Sequence, residues 1–348
     1  MVTRMQLKQV TLALTIALII NCGALAQQSD TSKLPPPSED KQDEFSAQLG
    51  KFAKRKAGTQ KYTLAYKFKK GDVIRWKHDH GIVNVTKFGT KSVKTSTRAQ
   101  PEYSWAVKKV DSRGNMRFEI TMDRVKVWEQ NGDADQVHYN SDTSKEVPDS
   151  CLIYKERVGR PTSTYSISPN GQTVASKSYY NQISLGGVGT NPVVAFPDKP
   201  IAIGHKWDVS NEVRADDEHG ALQKLDIRVR YQLEKVTDGK AHITFSSEVM
   251  NPYNDETVRS QIVTHMARGF VVFDIEKGVL TNRETRWNER VIGYRGPESY
   301  MHYTATRKEI LVQEKAVASK PAPVTKVAKK EPAGKPQQTH VLRPLNRK

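Results

Sequence analysis

The chain has 348 residues, of which 36% are hydrophobic, and a mean hydropathy of -0.66, which argues against a thick α/β core and for thin sheets with one wet face. Lys and Arg outnumber Asp and Glu 55 to 38, so anionic partners are favoured over cationic ones. Two cysteines, Cys22 and Cys151, exclude a disulfide-stapled scaffold.

At the N-terminus, Arg4 and Lys8 precede the apolar run Val10 to Ile20, and Gly23-Ala24-Leu25-Ala26 follows. This is the order of an export signal over residues 1–26, with cleavage between Ala26 and Gln27, and the run is shorter than the ~20 residues a membrane span requires. The expected location is the periplasm or the medium. Cys22 is an alternative lipid-attachment point, although Asn21 before it is a poor match for the small residue such processing prefers. With Cys22 removed, Cys151 stands alone; it has no motif around it and reads as a packed side chain rather than a nucleophile.

Residues 27–37, rich in proline and polar groups, read as a linker. Ser38 then caps an expected short helix over 38–56, with acids in its first turns and Lys51, Lys54, Arg55 and Lys56 in its last. From Tyr62 the period changes to two. Tyr62, Leu64, Tyr66 and Phe68 alternate, Lys70-Gly71-Asp72 turns, and Ile74, Trp76, His78 and His80 share one strand face before Gly81 interrupts. Tyr103, Trp105 and Val107 lead through Asp111-Ser112-Arg113-Gly114 into Met116, Phe118, Ile120 and Met122. The apolar parity flips at Asp123-Arg124, which predicts a bulge. Residues 129–160 read as loop, and Tyr165 and Ile167 enter a turn at Ser168-Pro169-Asn170-Gly171.

Residues 184–200 read as a connector; Gly186-Gly187-Val188-Gly189 lacks the lysine and hydroxyl residue of a phosphate-binding loop. The clearest local signal is the hairpin Leu222 to Phe245. Leu225, Ile227, Val229, Tyr231 and Leu233 alternate with charged and polar residues, and Asp238-Gly239 supplies the tight turn. It echoes Trp105 to Phe118; Gly71 to Trp76 is echoed by Gly204 to Trp207, and Ile167 to Gly171 by Phe273 to Gly278. The expected fold is therefore all-β and mostly antiparallel, with two related curved-sheet modules over 62–183 and 201–312. The strand from Val279 to Ile292 is polar on both faces, which predicts a sheet edge or the lining of a wet concave surface.

The phrase Phe196-Pro197-Asp198-Lys199-Pro200-Ile201-Ala202-Ile203-Gly204-His205-Lys206-Trp207, with Tyr66 to Asp72, resembles a repeated motif of exported β-rich bacterial proteins of planctomycete type that have no assigned activity. The resemblance spans residues 62–312 and implies a secreted β-rich protein. It supplies no site, and His205 stands where an acidic residue is more usual. The architecture is also loosely similar to half-barrel lipoprotein carriers, an analogy of fold alone.

Residues 315–348 carry nine Lys or Arg against one Glu and no apolar periodicity, which predicts a disordered tail. It reads either as a tether to an anionic envelope polymer or lipid surface or as a solubilising end. Without interleaved aromatics, sequence-specific nucleic-acid recognition is not expected. His78 and His80 are the best candidates for metal ligands, but two ligands do not make a site, and neither metal nor cofactor is assigned. Trp76, Trp105 and Trp207 are expected in the core, whereas Trp287 could line a groove. The favoured function is a noncatalytic envelope protein binding a lipid, peptide or anionic polymer on a concave sheet. The alternatives are an envelope hydrolase, metal-assisted at the two histidines, and a structural subunit that pairs through sheet edges.

Overall fold

A computed structural model describes residues 34–37, 59–180, 191–251 and 253–312. The expected signal segment with Ala26 and Gln27, Cys22, the expected helix over 38–56, the glycine run at 186–189 and the basic segment 315–348 lie outside the described residues.

Strands β1 (Lys61–Tyr62), β2 (Val73–Phe88), β3 (Lys91–Val110), β4 (Met116–Asn131), β5 (Val137–Asn140), β6 (Pro161–Ile167) and β7 (Thr173–Ser178) make up the first half of the chain. The second half has β8 (Ile201–Ala202), β9 (Lys206–Asp216), β10 (Leu222–Thr237), β11 (Lys240–Val249), β12 (Arg268–Asp274), β13 (Val279–Ile292) and β14 (Ser299–Leu311). Two short helices, α1 (Leu152–Arg157) and α2 (Glu256–Ile262), follow β5 and β11. The main sheet is antiparallel and runs β7, β6, β4, β3, β2, β14, β13, β12, β11, β10, β9, with β5 beside β4. β14 closes on β2, so the two halves share one open sheet whose edges are β7 and β9, and β1 pairs with β8 separately. No helix among the described residues is long and apolar enough to cross a membrane.

Strands of up to 20 residues cannot stay flat, because each step adds right-handed twist. Bulges add more. One falls where the parity flip predicts it: Glu102 faces Arg124 and Tyr103 faces Met122, which leaves Asp123 as the extra residue. The predicted hairpin forms as read, with Asp238 and Gly239 both at positive φ (52° and 71°), as a tight turn between right-twisted strands requires.

The curled sheet buries one face around segments from its own connections. Leu64, Tyr66 and Phe68 alternate as expected, but only Lys61–Tyr62 is strand; beyond it the chain threads along the core face. Tyr66 N–H donates to the Pro169 carbonyl (2.7 Å) and Lys67 N–H to that of Gly278 (3.2 Å). The thread satisfies its backbone on two hairpin turns instead of a ladder. Residues 191–200 behave in the same way. Val193, Val194 and Phe196 are buried, so this part of the expected connector is core. Tyr66 stacks on Phe196 at 5.5 Å and meets Phe273 edge-on at 5.3 Å, tying both halves to one cluster.

Three further expectations are corrected. Gly81 does not interrupt β2, which is continuous; a Cβ there would lie 2.8 Å from Cβ of Pro37, so the position needs glycine for close approach. The 129–160 loop contains the end of β4, β5 and α1, because Val125, Val127, Tyr139, Cys151 and Tyr154 form a cluster that holds it. Finally, β13 is not an edge: it lies between β14 and β12, and Arg283, Glu284 and Thr285 are buried in mid-sheet. Trp76, Trp105 and Trp287 are core, while Trp207 is half-buried and donates its indole N–H to the Ala195 carbonyl (2.9 Å).

Candidate functional site

Closure of β14 on β2 sets residues more than 200 positions apart in direct register. On the core face, Arg283, Glu309 and His78 form one cross-strand row, and Thr285, Arg307 and His80 form the next. Arg283 Nε donates to the Glu309 carboxylate, and its Nη1 donates to the Asn191 carbonyl at 2.8 Å. His78 Nδ1 lies 3.6 Å from Glu309 Oε1, and its ring packs 4.8 Å from that of Tyr103. Burial, reinforced by Arg307 and outweighing the pull of Glu309, brings the His78 pKa down to about 4. Burial, Arg307 and His78 hold His80 well below its ordinary value. Burial alone would raise the Glu309 carboxyl, but Arg283, His78 and Arg307 together hold it below the usual carboxylate range.

The two predicted metal candidates thus face different neighbours, and among the described residues no group of three or more His, Cys, Asp or Glu is placed to hold a metal ion. Reading the sequence missed Arg283, Arg307 and Glu309 at this place. It also passed over Pro101, whose missing N–H falls where the β2–β3 ladder skips His78 and Asp79. The signal for Arg283 was the unusual polarity of both faces of β13.

The opposite, outer face carries a groove of about 760 Å³. Its floor is the row Arg268, Arg286, Thr306, Gly81, Arg98, which crosses β12, β13, β14, β2 and β3 in direct register. The small central residues form a trough between flanking guanidiniums. Pro35, Pro36 and Pro37 line one side, held where Arg98 Nη1 donates to the Pro35 carbonyl (3.1 Å) and where Gly81 leaves room for Pro37. Arg98 is fixed by two bonds to Asp79 (2.8 and 2.7 Å), and Arg286 by two to Glu284 (2.9 and 2.7 Å). With Lys94 and Lys308 also in the lining, five cations surround the trough among the described residues, and Asp79 is the one acid among them.

No protein-family model matches the chain, and no curated protein matches it in sequence. The geometry alone therefore carries the functional reading.

Cys151 is fully buried, and burial, with Glu129 nearby, pushes its thiol up to about 12. A thiol held protonated is a poor nucleophile, so iodoacetamide should leave Cys151 unmodified at pH 8 in the native protein and alkylate it in denaturant. Native-state alkylation, followed by mass spectrometry of the peptide containing residue 151, would contradict this.

Proposed function

We propose that the chain is an exported, noncatalytic binding protein of two related β halves, and that it holds an anionic ligand in the outer-face groove. The observation that carries the reading is the direct cross-strand pairing of Arg268 with Arg286. Like charges opposite one another on neighbouring strands cost about 0.2–1 kcal/mol, and a sheet that keeps such a pair beside a recess has a use for it. Arg286 is already turned onto Glu284, while Arg268 is exposed and makes no ion pair among the described residues. Arg268 lines the trough, and its charge also acts on the Glu289 carboxyl. Two related halves are supported by the repeated order of hairpin, short helix and hairpin, in which α1 follows β5 and α2 follows β11, and by the β1–β8 pairing of their leading segments.

Arg268→Ala in the full chain separates this reading from a merely solvated surface. Removing the like-charge contact should stabilise the protein slightly, whereas affinity for phosphatidylglycerol vesicles or for heparin should fall about tenfold at low salt. The vesicle and polymer arms distinguish a lipid headgroup from a sulfated chain. Unchanged affinity for both would overturn the assignment of the groove. A second reading, pairing of copies through a sheet edge, has one feature in its favour: all six residues of β7 are exposed. Native mass spectrometry showing monomer across micromolar concentrations would remove it.

A further inference from the structure

Large apolar side chains left in water are ordinary when scattered, whereas a cluster of them ringed by one sign of charge marks a contact surface. Such a cluster stands at one end of the main sheet, where the pairing of β14 with β2 sets two hairpin ends side by side. Phe88, Val93 and Ile292 are 40%, 44% and 61% exposed there. The Gly89 N–H donates to the Glu298 carbonyl (3.2 Å), so the β2–β3 turn is bonded to the β13–β14 turn. The Phe88 ring lies 5.6 Å from that of Tyr294, and the Arg295 guanidinium sits 5.5 and 5.9 Å from the two ring centres.

Neither the core nor an ordinary wet face accounts for these residues. Phe88 continues the core-face parity of His80, while Ile292, opposite Tyr300 and Lys87, falls on the outer face. The rim is therefore apolar on both sides of the sheet. Its longer turn is held by its own bonds: Gly293 N–H donates to the Ser299 carbonyl (2.7 Å) and Arg295 N–H to Ser299 Oγ (2.9 Å), so little freedom is left to lose on docking.

Residues 87–93 and 290–300 hold Lys87, Lys91, Arg290 and Arg295 against Glu298. The next turn, joined where Gly132 N–H donates to the Lys94 carbonyl (2.8 Å), exposes Asp133 and Asp135 and no large hydrophobic side chain, so the patch ends there. Arg290 in turn lies 5.0 Å from the centre of the Tyr300 ring. Rings with guanidiniums beside them on an apolar rim match the boundary layer of a bilayer, where apolar tips reach the acyl chains and cations stay among the phosphates. The sign of the charge selects anionic lipid. We infer that this end of the sheet docks on an anionic lipid surface, with Phe88 and Ile292 entering the acyl boundary. The surface is separate from the outer-face groove and stands or falls apart from it.

Sedimentation of the full chain with phosphatidylglycerol and phosphatidylcholine vesicles tests this. Phosphatidylglycerol should be bound saturably and at least tenfold more tightly, the difference shrinking as salt is raised. Phe88→Ser with Ile292→Ser should weaken phosphatidylglycerol binding at least tenfold and leave heparin binding unchanged. Its Tm should stay within about 2 °C of wild type, because both side chains face water. Phe88→Trp should keep wild-type affinity, and its added fluorescence should be quenched by phosphatidylglycerol brominated in the acyl chains, in the Arg268→Ala background as well as alone. Binding through another part of the chain, the groove included, would leave that fluorescence unquenched and overturn the inference. So would wild-type affinity in the double serine variant, equal binding to both lipids, or binding to neither. A dimer in native mass spectrometry that Ile292→Ser dissociates would assign the rim to a second copy of the chain instead.

Discussion

Glu309→Gln should destabilise the protein by about 3–5 kcal/mol in urea denaturation, because it leaves the buried Arg283 guanidinium without its carboxylate. Arg283 and Glu309 are 7% and 4% exposed, so water cannot take over the lost interaction. The paired replacement Arg283→Met with Glu309→Leu should cost much less, since it removes both charges together and leaves packed side chains. Equal losses for the single and the double variant would show that the pair is not what holds β13 to β14 at this point.

The same cluster sets the acid limit of stability. His78 is neutral in the fold down to about pH 4, and burial with Arg307 and His78 nearby holds His80 well below its ordinary value, whereas both take up protons near 6.5 once unfolded. Below about pH 6.5 the unfolded chain binds more protons, and stability falls as pH falls, with a slope approaching about 2.7 kcal/mol per unit for the two imidazoles. Glu309 acts in the same direction at lower pH. Its folded pKa lies below the ordinary 4.5, so its contribution is complete above that value and is lost as pH drops through the folded one. A stability profile that stays flat from pH 6.5 to 5 would contradict burial of these histidines.

Gly171→Ala should be the most damaging single methyl group in the first half of the chain, costing about 3 kcal/mol or more from strain and overlap together. Its φ is +85°, and an added Cβ would run into the Val194 carbonyl and lie 2.6 Å from Cε2 of Tyr66. Both threads meet at that turn: Tyr66 N–H bonds to Pro169, Phe196 N–H to Asn170. Gly71→Ala is the matched comparison. Its φ is +95° with nothing within 4 Å of the added carbon, so only the backbone cost of about 1–2 kcal/mol applies. If the two variants denature at the same urea concentration, the threads do not lean on the Gly171 turn.

What could be read from the chain in advance was local. The Leu222 hairpin shows in its alternation and its Asp-Gly pair, and the Asp123 bulge in a change of parity, because each is decided by residues a few positions apart. The threads could not be read. Leu64, Tyr66 and Phe68 alternate like a strand whether they pair in a ladder or lie on hairpin turns, and that choice depends on residues more than 100 positions away. α2 carried its own sign in Asp255, whose carboxylate accepts from the N–H groups of Thr257 and Val258, but seven residues hold too few turns for periodicity to show.

The candidate site divides in the same way. His78 and His80 could be placed together on one strand face; that they meet Glu309 and Arg307 follows from the β14–β2 pairing in mid-sheet, which joins strands more than 200 residues apart in the chain. Polarity on both sides of β13 pointed to an edge or to the lining of a wet concave surface; the strand is central, and its polar rows serve two faces, one in the core cluster and one in the groove. Gly81, read as an interruption, is the trough of that groove.

The most direct measurement of the central claim is a titration of the full chain, ¹⁵N-labelled, with an anionic probe that binds it, followed through backbone amides and arginine Nε–H signals. The groove predicts shifts concentrated at Arg268, Arg286, Thr304, Thr306, Gly81 and Arg98, diminishing together as salt is raised. Saturable binding that leaves these signals unmoved would place the anion elsewhere on the protein and contradict the account.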